Sequence, residues 1–414
     1  MSQKIQKQAS DEQSANENAY PLYVKAIIAV IFAALAYYGI KSHFFVSKPY
    51  NALGETMGTI PYCVRVFSNT SRGWEKTSDE IKKELTRIDH LMSTYKKESE
   101  VTKFNENPSV DWIEVSDELV KLVKLSKETS EIVDKKFDVT IAPLVDLWGF
   151  GPHKRTLANP PSPADIALAQ SKSGLDKLEF QENPPALKKA ESELRIDLSG
   201  IAKGYAVDCV AAVLEKRGYR NYLIEVGGET RTRGYKTDRQ TRETQHWLIG
   251  IEAPFPRAQF QPLQIFAPID LKDRAMATSG DSQNFTEIAG RRYSHIIDPI
   301  SGEAQKTSLP NINSDDEEIG SVSVVASSCA QADALATGFF LLGTERGIEI
   351  ANRYKIPVIY VLRTGNANSP LRMVKSDTVL EERPQNEKTW GQSVMSWFGG
   401  SDDDQLKPSI LTVH

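Results

Sequence analysis

Two oxygen-bearing side chains interrupt an apolar segment near the C-terminal end of the chain. Asp333 and Thr337 lie four residues apart within residues 330–342, which read as a helix, so both side-chain oxygens face the same side. A carboxylate among apolar residues is costly unless it is paired or binds a metal. Oxygen ligands of this kind favour a hard cation such as Mg²⁺. An aspartate bonded to backbone at a helix start is the structural alternative.

A glycine turn before a second helix offers a site for phosphate. Residues 197–208 (DLSGIAKGYAVD) read as the end of a strand, a turn and the start of a helix. Helix N-termini present free N–H groups and the positive end of the helix dipole, both of which bind phosphate. Lys203 is a cation in the first turn, where the dipole disfavours it, so anion binding would explain its placement. The segment contains neither GxGxxG nor GxxxxGK[ST], which excludes a Rossmann fingerprint and a Walker loop.

Aromatic and histidine side chains complete the set of candidates. Tyr95, in the segment MSTY, could stack on a planar ring, and residues 137–151 (FDVTIAPLVDLWGFG) combine aromatic rings with glycine, which suits a flat ligand close to backbone. His295 stands in the polar run RRYSHIIDP and is a candidate base. Each of these residues alone could be an ordinary packed side chain. Together, the candidates suit a dinucleotide whose pyrophosphate is cleaved with the help of Mg²⁺.

The elements that must position these residues alternate between helix-like and strand-like segments. Hydrophobic periodicity and capping residues predict strands at 62–68, 194–198, 222–226, 321–326 and 358–362 and helices at 78–91, 117–133, 202–217 and 330–342. Polar and proline-rich stretches between them read as long loops, which often carry functional sites. The pattern predicts a mixed α/β or α+β body from about residue 50 to residue 380.

The composition of this 414-residue chain excludes several classes of protein. With 50 Lys+Arg against 55 Asp+Glu, a net charge of −5 and 40% apolar residues, the chain is too apolar to be wholly disordered and not basic enough to favour non-specific nucleic-acid binding. Cys63, Cys209 and Cys329 are widely spaced and lack metal-binding spacing, so we expect core residues rather than a disulfide scaffold. The length suits two domains, or one large enzyme domain with tails.

The ends of the chain differ from this body. Residues 1–22 and 381–414 are polar and predict a disordered N-terminal tail and a solvated C-terminal tail. Residues 23–40 are apolar apart from Lys25, and their length is at the lower limit for a bilayer span. We expect an uncleaved transmembrane signal anchor. A cleaved secretory signal, favoured by the small-x-small triplet at 34–36, and a buried core helix are the alternatives.

Seven segments of the chain, taken in order, closely resemble the ApbE family of FAD:protein FMN transferases. They lie within about residues 50–365 and read MSTY, FDVTIAPLVDLWGFGP, DLSGIAKGYAVD, EVGGETRTRG, ATSGDSQNF, YSHIIDP-x-SG and ADALATGFFLLG. The resemblance implies an α+β (mixed α/β), ApbE-like and T-fold-like single catalytic domain over residues 50–380. It also implies Mg²⁺-dependent transfer of FMN from FAD to a Thr or Ser hydroxyl of an acceptor flavoprotein, with release of AMP.

The resemblance further assigns roles to individual residues. It implies FAD contacts from Met57, Tyr95, Asp138, Val139, Thr140, Asp197, Lys203 and Ile296. It implies a Mg²⁺ site formed by Asp333 and Thr337 with a backbone carbonyl near Gly200.

Two positions depart from the pattern of the family. Some members carry a second Asp where this chain has Ala336, so its metal shell would use more water or backbone. Glu229 replaces an Asp that is common in the family, which keeps the carboxylate but adds a methylene. Our mechanistic hypothesis is that Mg²⁺ and Lys203 neutralise charge on the pyrophosphate. His295 then handles the proton of the hydroxyl as general base or acid.

The resemblance also implies partners and a location. Acceptors in this family are typically flavin-carrying subunits of membrane redox complexes, such as sodium-pumping quinone reductases, or exported reductases. With the anchor, this predicts the inner (cytoplasmic) membrane, the catalytic domain on the periplasmic side and no nucleic-acid partner. An Mg²⁺-dependent FAD pyrophosphatase giving FMN and AMP, and a membrane-anchored FAD-binding protein, are the alternatives. Asp333 and Thr337 argue against a mere carrier, because binding alone does not need the metal.

Overall fold

The computed structural model describes most of the chain between residues 47 and 378. The described residues are 27, 29–31, 47–152, 156–237, 243–255, 264–281, 284–307, 317–364 and 370–378. The tails predicted at 1–22 and 381–414 lie outside them, as does most of the apolar segment 23–40. Within the described ranges, no helix is both long and apolar enough to cross a membrane. The chain divides into two units, residues 1–48 with 68–70 and residues 49–67 with 71–414, and the second holds every candidate site residue.

Helices and strands alternate along the chain, as the sequence pattern predicts. The described strands are β1 Lys48–Thr56, β2 Ile60–Ser68, β3 Ile113–Glu114, β4 Leu178–Glu182, β5 Pro185–Lys189, β6 Tyr222–Val226, β7 Glu229–Arg233, β8 Lys236–Thr237, β9 Thr244–Gln245, β10 Leu248–Glu252, β11 Ile265–Asp270, β12 Ala275–Gly280, β13 Phe285–Ile288, β14 Arg291–Ile297, β15 Ala304–Thr307, β16 Glu318–Ala326, β17 Val358–Arg363 and β18 Arg372–Lys375. The described helices are α1 Trp74–Met92, α2 Glu100–Glu106, α3 Asp117–Ile132, α4 Ala142–Leu147, α5 Pro163–Ser171, α6 Ser199–Lys216, α7 Cys329–Leu342 and α8 Thr344–Tyr354.

Eight of the strands form one sheet, in the order β1-β2-β6-β7-β12-β16-β17-β18, and the pairs from β2 onward are antiparallel. Side chains alternate between its two faces. On β17, Val358 and Tyr360 belong to the main core with the helices, whereas Ile359 and Val361 pack with Ile269 of the β10–β11 pair. Because both faces are covered, the sheet is the middle layer of a mixed α/β body, which confirms the predicted class.

Helices α6 and α7 pack against each other at very short range. A β-carbon added at Gly204 would lie 2.3 Å from the carbonyl oxygen of Cys329, so only glycine allows this approach. The Asp208 carboxylate accepts hydrogen bonds from the backbone N–H groups of Cys329 and Ala330, each at 3.0 Å. It therefore satisfies two of the free donors at the start of α7 and ties that helix to α6.

A second, smaller hydrophobic cluster supports the strand that carries His295. It joins α4, α5 and the three-stranded sheet β13-β14-β15 through buried residues that include Trp148, Ile166, Tyr293 and Ile297. The Trp148 indole donates a hydrogen bond to the carbonyl oxygen of Gly302 at 2.9 Å. This cluster fixes β14 relative to the segment around Trp148.

Two of the predicted elements are wrong in instructive ways. The strand predicted at 194–198 is an extended segment outside any sheet, because its backbone bonds to the side chain of Asn105 and to Val139 rather than to a neighbouring strand. Helix α1 begins at Trp74 rather than after Ser78, since Gly73 adopts a left-handed conformation (φ 83°) that starts the helix earlier. The predicted strands at 62–68 and 222–226 are confirmed as parts of β2 and β6.

Candidate functional site

A lysine between two buried carboxylates forms the centre of the candidate site. Lys203, in the second turn of α6, places its Nζ 3.2 Å from Oε1 of Glu229 on β7 and 3.6 Å from Oδ1 of Asp333 on α7. The other oxygen of Asp333 accepts a hydrogen bond from the backbone N–H of Gly204 at 2.9 Å. Lys203 therefore has ionic partners within the protein itself, besides the bound anion that its position in the sequence suggests.

Two carboxyl groups share one lysine in this cluster. Burial alone would lower the pKa of Lys203, but the carboxylates of Asp333 and Glu229 outweigh it and raise the pKa above its ordinary value. Burial raises the pKa of Glu229 well above its ordinary value, and its Oε2 accepts no hydrogen bond from any residue that the structure describes. A cation bound here would favour the ionised form of Glu229, which burial disfavours.

The oxygen atoms around Asp333 suit a hard cation. Thr337 lies one turn further along α7, and its hydroxyl is 3.2 Å from the hydroxyl of Ser279 on β12. A β-carbon added at Gly200 would lie 3.5 Å from the Thr337 hydroxyl, so the backbone at Gly200 adjoins the same point. No three His, Cys, Asp or Glu side chains gather into a metal cluster within the described part of the chain. This donor set fits Mg²⁺, which uses one or two carboxylates with water and substrate phosphates.

A second group of predicted residues lies beside the start of α6. The Asp138 carboxylate accepts hydrogen bonds from the backbone N–H and the hydroxyl of Thr140, both at 2.6 Å. The backbone N–H of Asp197 donates to the carbonyl of Val139 at 2.7 Å, and the Asp197 carboxylate accepts from the N–H of Ser199 at 2.8 Å. Burial raises the pKa values of both Asp138 and Asp197. The structure thus brings Asp138, Val139, Thr140 and Asp197 together.

Tyr95 is an exposed aromatic residue at the edge of this group. Its side chain is 60% exposed, and its hydroxyl donates to the carbonyl of Phe150 at 3.1 Å. Partial burial raises the pKa of Tyr95, and the charges of Asp197 and Asp146 add to that rise. An exposed ring that is fixed at its hydroxyl offers a flat surface to a planar ligand.

His295 lies on β14. Its Nδ1 is 3.0 Å from the carbonyl of Asn284, so the ring nitrogen that donates is Nδ1 and Nε2 is left as an acceptor. Although the residue is exposed, surrounding protein atoms desolvate the ring and lower its pKa to about 4, and the charge of Lys203 acts in the same direction. The imidazole is therefore neutral at pH 7. The Phe150 ring contacts it edge-on, with centroids 6.4 Å apart.

The remaining predicted site residues are Met57 and Ile296. Met57 adopts a left-handed conformation (φ 47°) in the turn between β1 and β2. The next strand contacts the turn after β6, where the N–H of Gly227 donates to the carbonyl of Pro61 at 3.0 Å. Ile296 is buried on β14 beside His295.

The comparisons with known proteins give one consistent answer. The sequence matches the ApbE family over residues 57–360, and the chain belongs to that family. An FAD:protein FMN transferase of Haemophilus influenzae is 36% identical over 325 residues, which cover 77% of this chain and 88% of that protein. One from Vibrio cholerae is 37% identical over 312 residues, which cover 75% of this chain and 86% of the relative. The resemblance found in the seven sequence segments is confirmed.

Solved structures agree with this assignment. The flavin transferase ApbE from Vibrio cholerae superposes with a TM-score of 0.66 at 33% identity and covers 80% of this chain and 98% of its own. The flavinyl transferase ApbE of Pseudomonas stutzeri, in its apo form, gives a TM-score of 0.68 at 32% identity, with 81% and 96% covered. The ApbE-like part of the predicted fold is confirmed.

Sequence reasoning missed several residues that support the site. Ser279, within ATSGDSQNF, contacts Thr337, and Asn105 bonds to the segment before Asp197. Glu225 on β6 is also buried; its Oε1 accepts from the N–H of Gly228 at 2.7 Å, in the turn that leads to Glu229. Ser279 and Glu225 stand in segments shared with the family, whereas Asn105 lies ten residues after the segment MSTY, and sequence reasoning assigned no role to any of the three.

Glu225 gives a prediction for the pH dependence of stability. Burial raises its pKa to about 8, against an ordinary value of 4.5, so the folded state keeps the proton over a range in which the unfolded chain has released it. The free energy of unfolding therefore falls as pH rises from 4.5 to 8, by at most about 1.4 kcal/mol for each pH unit. Glu225→Gln, which is neutral and of the same shape, is expected to flatten this fall.

The measurement is the Tm of both proteins at pH 5, 6.5 and 8. The stability gained from Glu225→Gln should grow as the pH rises. Glu114→Gln, on the exposed position of β3, serves as the control and should leave the profile unchanged. Parallel profiles for wild type and Glu225→Gln would show that Glu225 is already ionised at neutral pH.

Proposed function

We propose that this chain is an FAD:protein FMN transferase that moves FMN from FAD to a Thr or Ser hydroxyl of an acceptor flavoprotein and releases AMP. The observation that carries the proposal is Lys203 between Glu229 and Asp333, beside the start of α6, in a chain that belongs to the ApbE family. Relatives at 36% and 37% identity bear the name of this activity.

The chemistry follows from the groups around Lys203. The acceptor oxygen attacks the phosphorus of the FMN half of FAD, the bond from that phosphorus to the bridging oxygen breaks, and AMP leaves with the electron pair. Lys203 offsets the charge that develops on the phosphates. His295 supports proton removal, because its Nδ1 donates to the carbonyl of Asn284 and the Nε2 of the neutral ring is then the nitrogen that can accept the hydroxyl proton.

We propose that the reaction requires a divalent cation. Asp333 and Thr337 would hold Mg²⁺, together with the backbone at Gly200. When bound, Mg²⁺ would supply Lewis-acid stabilisation of the pyrophosphate charge. The support is the donor set of hard oxygens and the presence of two carboxyl groups beside a single lysine. We also propose that Met57, Tyr95, Asp138, Val139, Thr140, Asp197 and Ile296 contact FAD.

Transfer can be tested by co-expressing the full chain with the flavin-carrying subunit of a membrane redox complex. Mass spectrometry of that subunit is expected to find one FMN in ester linkage to a Thr or Ser. In a purified reaction with FAD and Mg²⁺, AMP should appear in an amount equal to the attached FMN, and EDTA should stop both. Free FMN with AMP and an unmodified subunit would indicate a pyrophosphatase, and unchanged FAD a carrier.

The role of His295 is tested by His295→Ala. Loss of a general base is expected to slow transfer by about 10²–10⁴-fold while FAD still binds. The matched control is His90→Ala, because His90 is also exposed and also places Nδ1 close to a backbone carbonyl, that of Thr86 at 2.8 Å. Full transfer by His295→Ala, with FAD affinity unchanged, would exclude His295 as the base.

We also propose that residues 23–40 anchor the enzyme in the inner membrane, with the catalytic domain on the periplasmic side near membrane-bound or exported acceptors. The support is the length of this apolar segment and the polar residues on both sides of it. Cell fractionation is expected to recover the full chain in the membrane pellet and a chain lacking residues 1–46 in the soluble fraction. Recovery of the full chain in the soluble fraction would contradict the anchor.

A further inference from the structure

The side chain of Asn105 joins helix α2 to the segment that carries Asp197. Its Nδ2 donates to the carbonyl of Ile196 at 2.8 Å, and its Oδ1 accepts from the N–H of the same residue at 2.8 Å. The amide therefore pairs with the backbone as a neighbouring strand would. Ile196 is fully buried, and the next residue, Asp197, continues the contact by donating its N–H to Val139.

The same short helix also holds the turn that carries Tyr95. The Thr102 hydroxyl of α2 donates to the carbonyl of Ser93 at 3.1 Å, and the hydroxyl of Ser99, at the N-terminus of α2, donates to the same carbonyl. The Ser93 hydroxyl in turn accepts from the N–H of Tyr95 at 3.2 Å. Helix α2 is therefore hydrogen-bonded to the backbone of Ile196, next to Asp197, and to the backbone of Ser93, close to Tyr95.

A buried lysine fixes the C-terminal end of α2. Lys189 on β5 is fully buried, and its Nζ donates to the carbonyls of Asn107 at 2.7 Å and Asn105 at 3.4 Å. The same nitrogen lies 4.7 Å from the centre of the Phe104 ring. Cationic donors at the end of a helix satisfy its free carbonyls and favour its dipole. Asn105 consequently stands on a helix end that has little freedom to move.

We propose that Asn105 is a positioning residue for FAD: through Ile196 it fixes Asp197 to α2, and it thereby sets the spacing between Asp197 and Tyr95. Asn105 acts through the backbone and need not touch the substrate. The inference rests on the proposed function, since it takes Asp197 and Tyr95 to contact FAD. A loose Asp197 must be ordered when FAD binds, and this cost weakens binding without altering the reacting groups.

The test uses the full chain and its Asn105→Ala variant. The KM and Kd for FAD are expected to rise about tenfold, which corresponds to about 1.4 kcal/mol, while kcat at saturating FAD stays within about twofold. Asn105→Asp keeps the acceptor for the Ile196 N–H but places a carboxylate oxygen opposite the Ile196 carbonyl in place of the donor, so it weakens the same contact and serves as the test if the alanine variant fails to fold. Its FAD affinity should fall as well.

Two controls separate positioning from a general loss of stability. Asn107→Ala removes a local hydrogen bond to the N–H of Ser109 at the same helix end and should leave FAD affinity unchanged. In an Asp197→Ala background, Asn105→Ala should change the Kd for FAD by less than about twofold, because the residue through which it acts is gone.

The outcomes are distinct. A lower Tm for Asn105→Ala with unchanged FAD affinity would overturn the proposal and leave Asn105 with a structural role. A full tenfold loss in the Asp197→Ala background would show that Asn105 does not act through Asp197. A wild-type chain that binds FAD but never modifies the acceptor would count against the proposed transfer, and the affinity measurements on Asn105 would still decide its positioning role.

Discussion

The contact on which the rest of the structure depends is the one between Lys203 and the carboxylates of Glu229 and Asp333. These three residues come from α6, β7 and α7, so the contact forms only when two helices and a strand meet at one point. The closest backbone approaches in the region are consistent with this requirement. A β-carbon at Gly204 would overlap the Cys329 carbonyl, and one at Gly227 (φ 58°) would lie 2.6 Å from the side chain of Ile60 and 3.2 Å from that of Lys203. The backbone is thus closely packed at the place where charge is buried.

That burial has an electrostatic consequence for the substrate. A pyrophosphate is strongly negative, and a site with two carboxylates and one lysine repels it unless a further positive charge is present. Burial raises the pKa of Glu229, and the charge of Asp333 adds to that rise, so without a cation the protein favours the protonated form of Glu229. A cation held by Asp333 and Thr337 would reverse the sign of the local charge. Metal and nucleotide are therefore expected to bind cooperatively, because each lowers the electrostatic free-energy cost of binding the other.

Local patterns in the sequence predicted the parts of this arrangement that depend on local spacing. The i, i+4 relation of Asp333 and Thr337 follows from helix geometry, and the alternation along β2 and β6 follows from the pleat of a strand. The segment at 194–198 has the apolar residues of a strand, but its hydrogen-bond partners are a side chain and a loop carbonyl, which no periodicity encodes. The pairing of Lys203 with Glu229 and Asp333 joins residues that are far apart in the chain. Only the resemblance to a family could place those residues in one site before the structure did.

The charge of Lys203 also contributes to the pKa of His295. Its charge is held by two carboxylates, which raise its own pKa, and the same charge helps to lower the pKa of His295 on β14. His295 is positioned by the smaller hydrophobic cluster around Trp148 and Tyr293, whereas Lys203 belongs to a helix of the main core. Desolvation is therefore the main reason that the imidazole stays neutral, and a cation from a different hydrophobic cluster of the protein adds to it. A base that must accept a proton beside a phosphate needs this combination, because a protonated histidine there would pair with the phosphate and have no capacity to receive the proton.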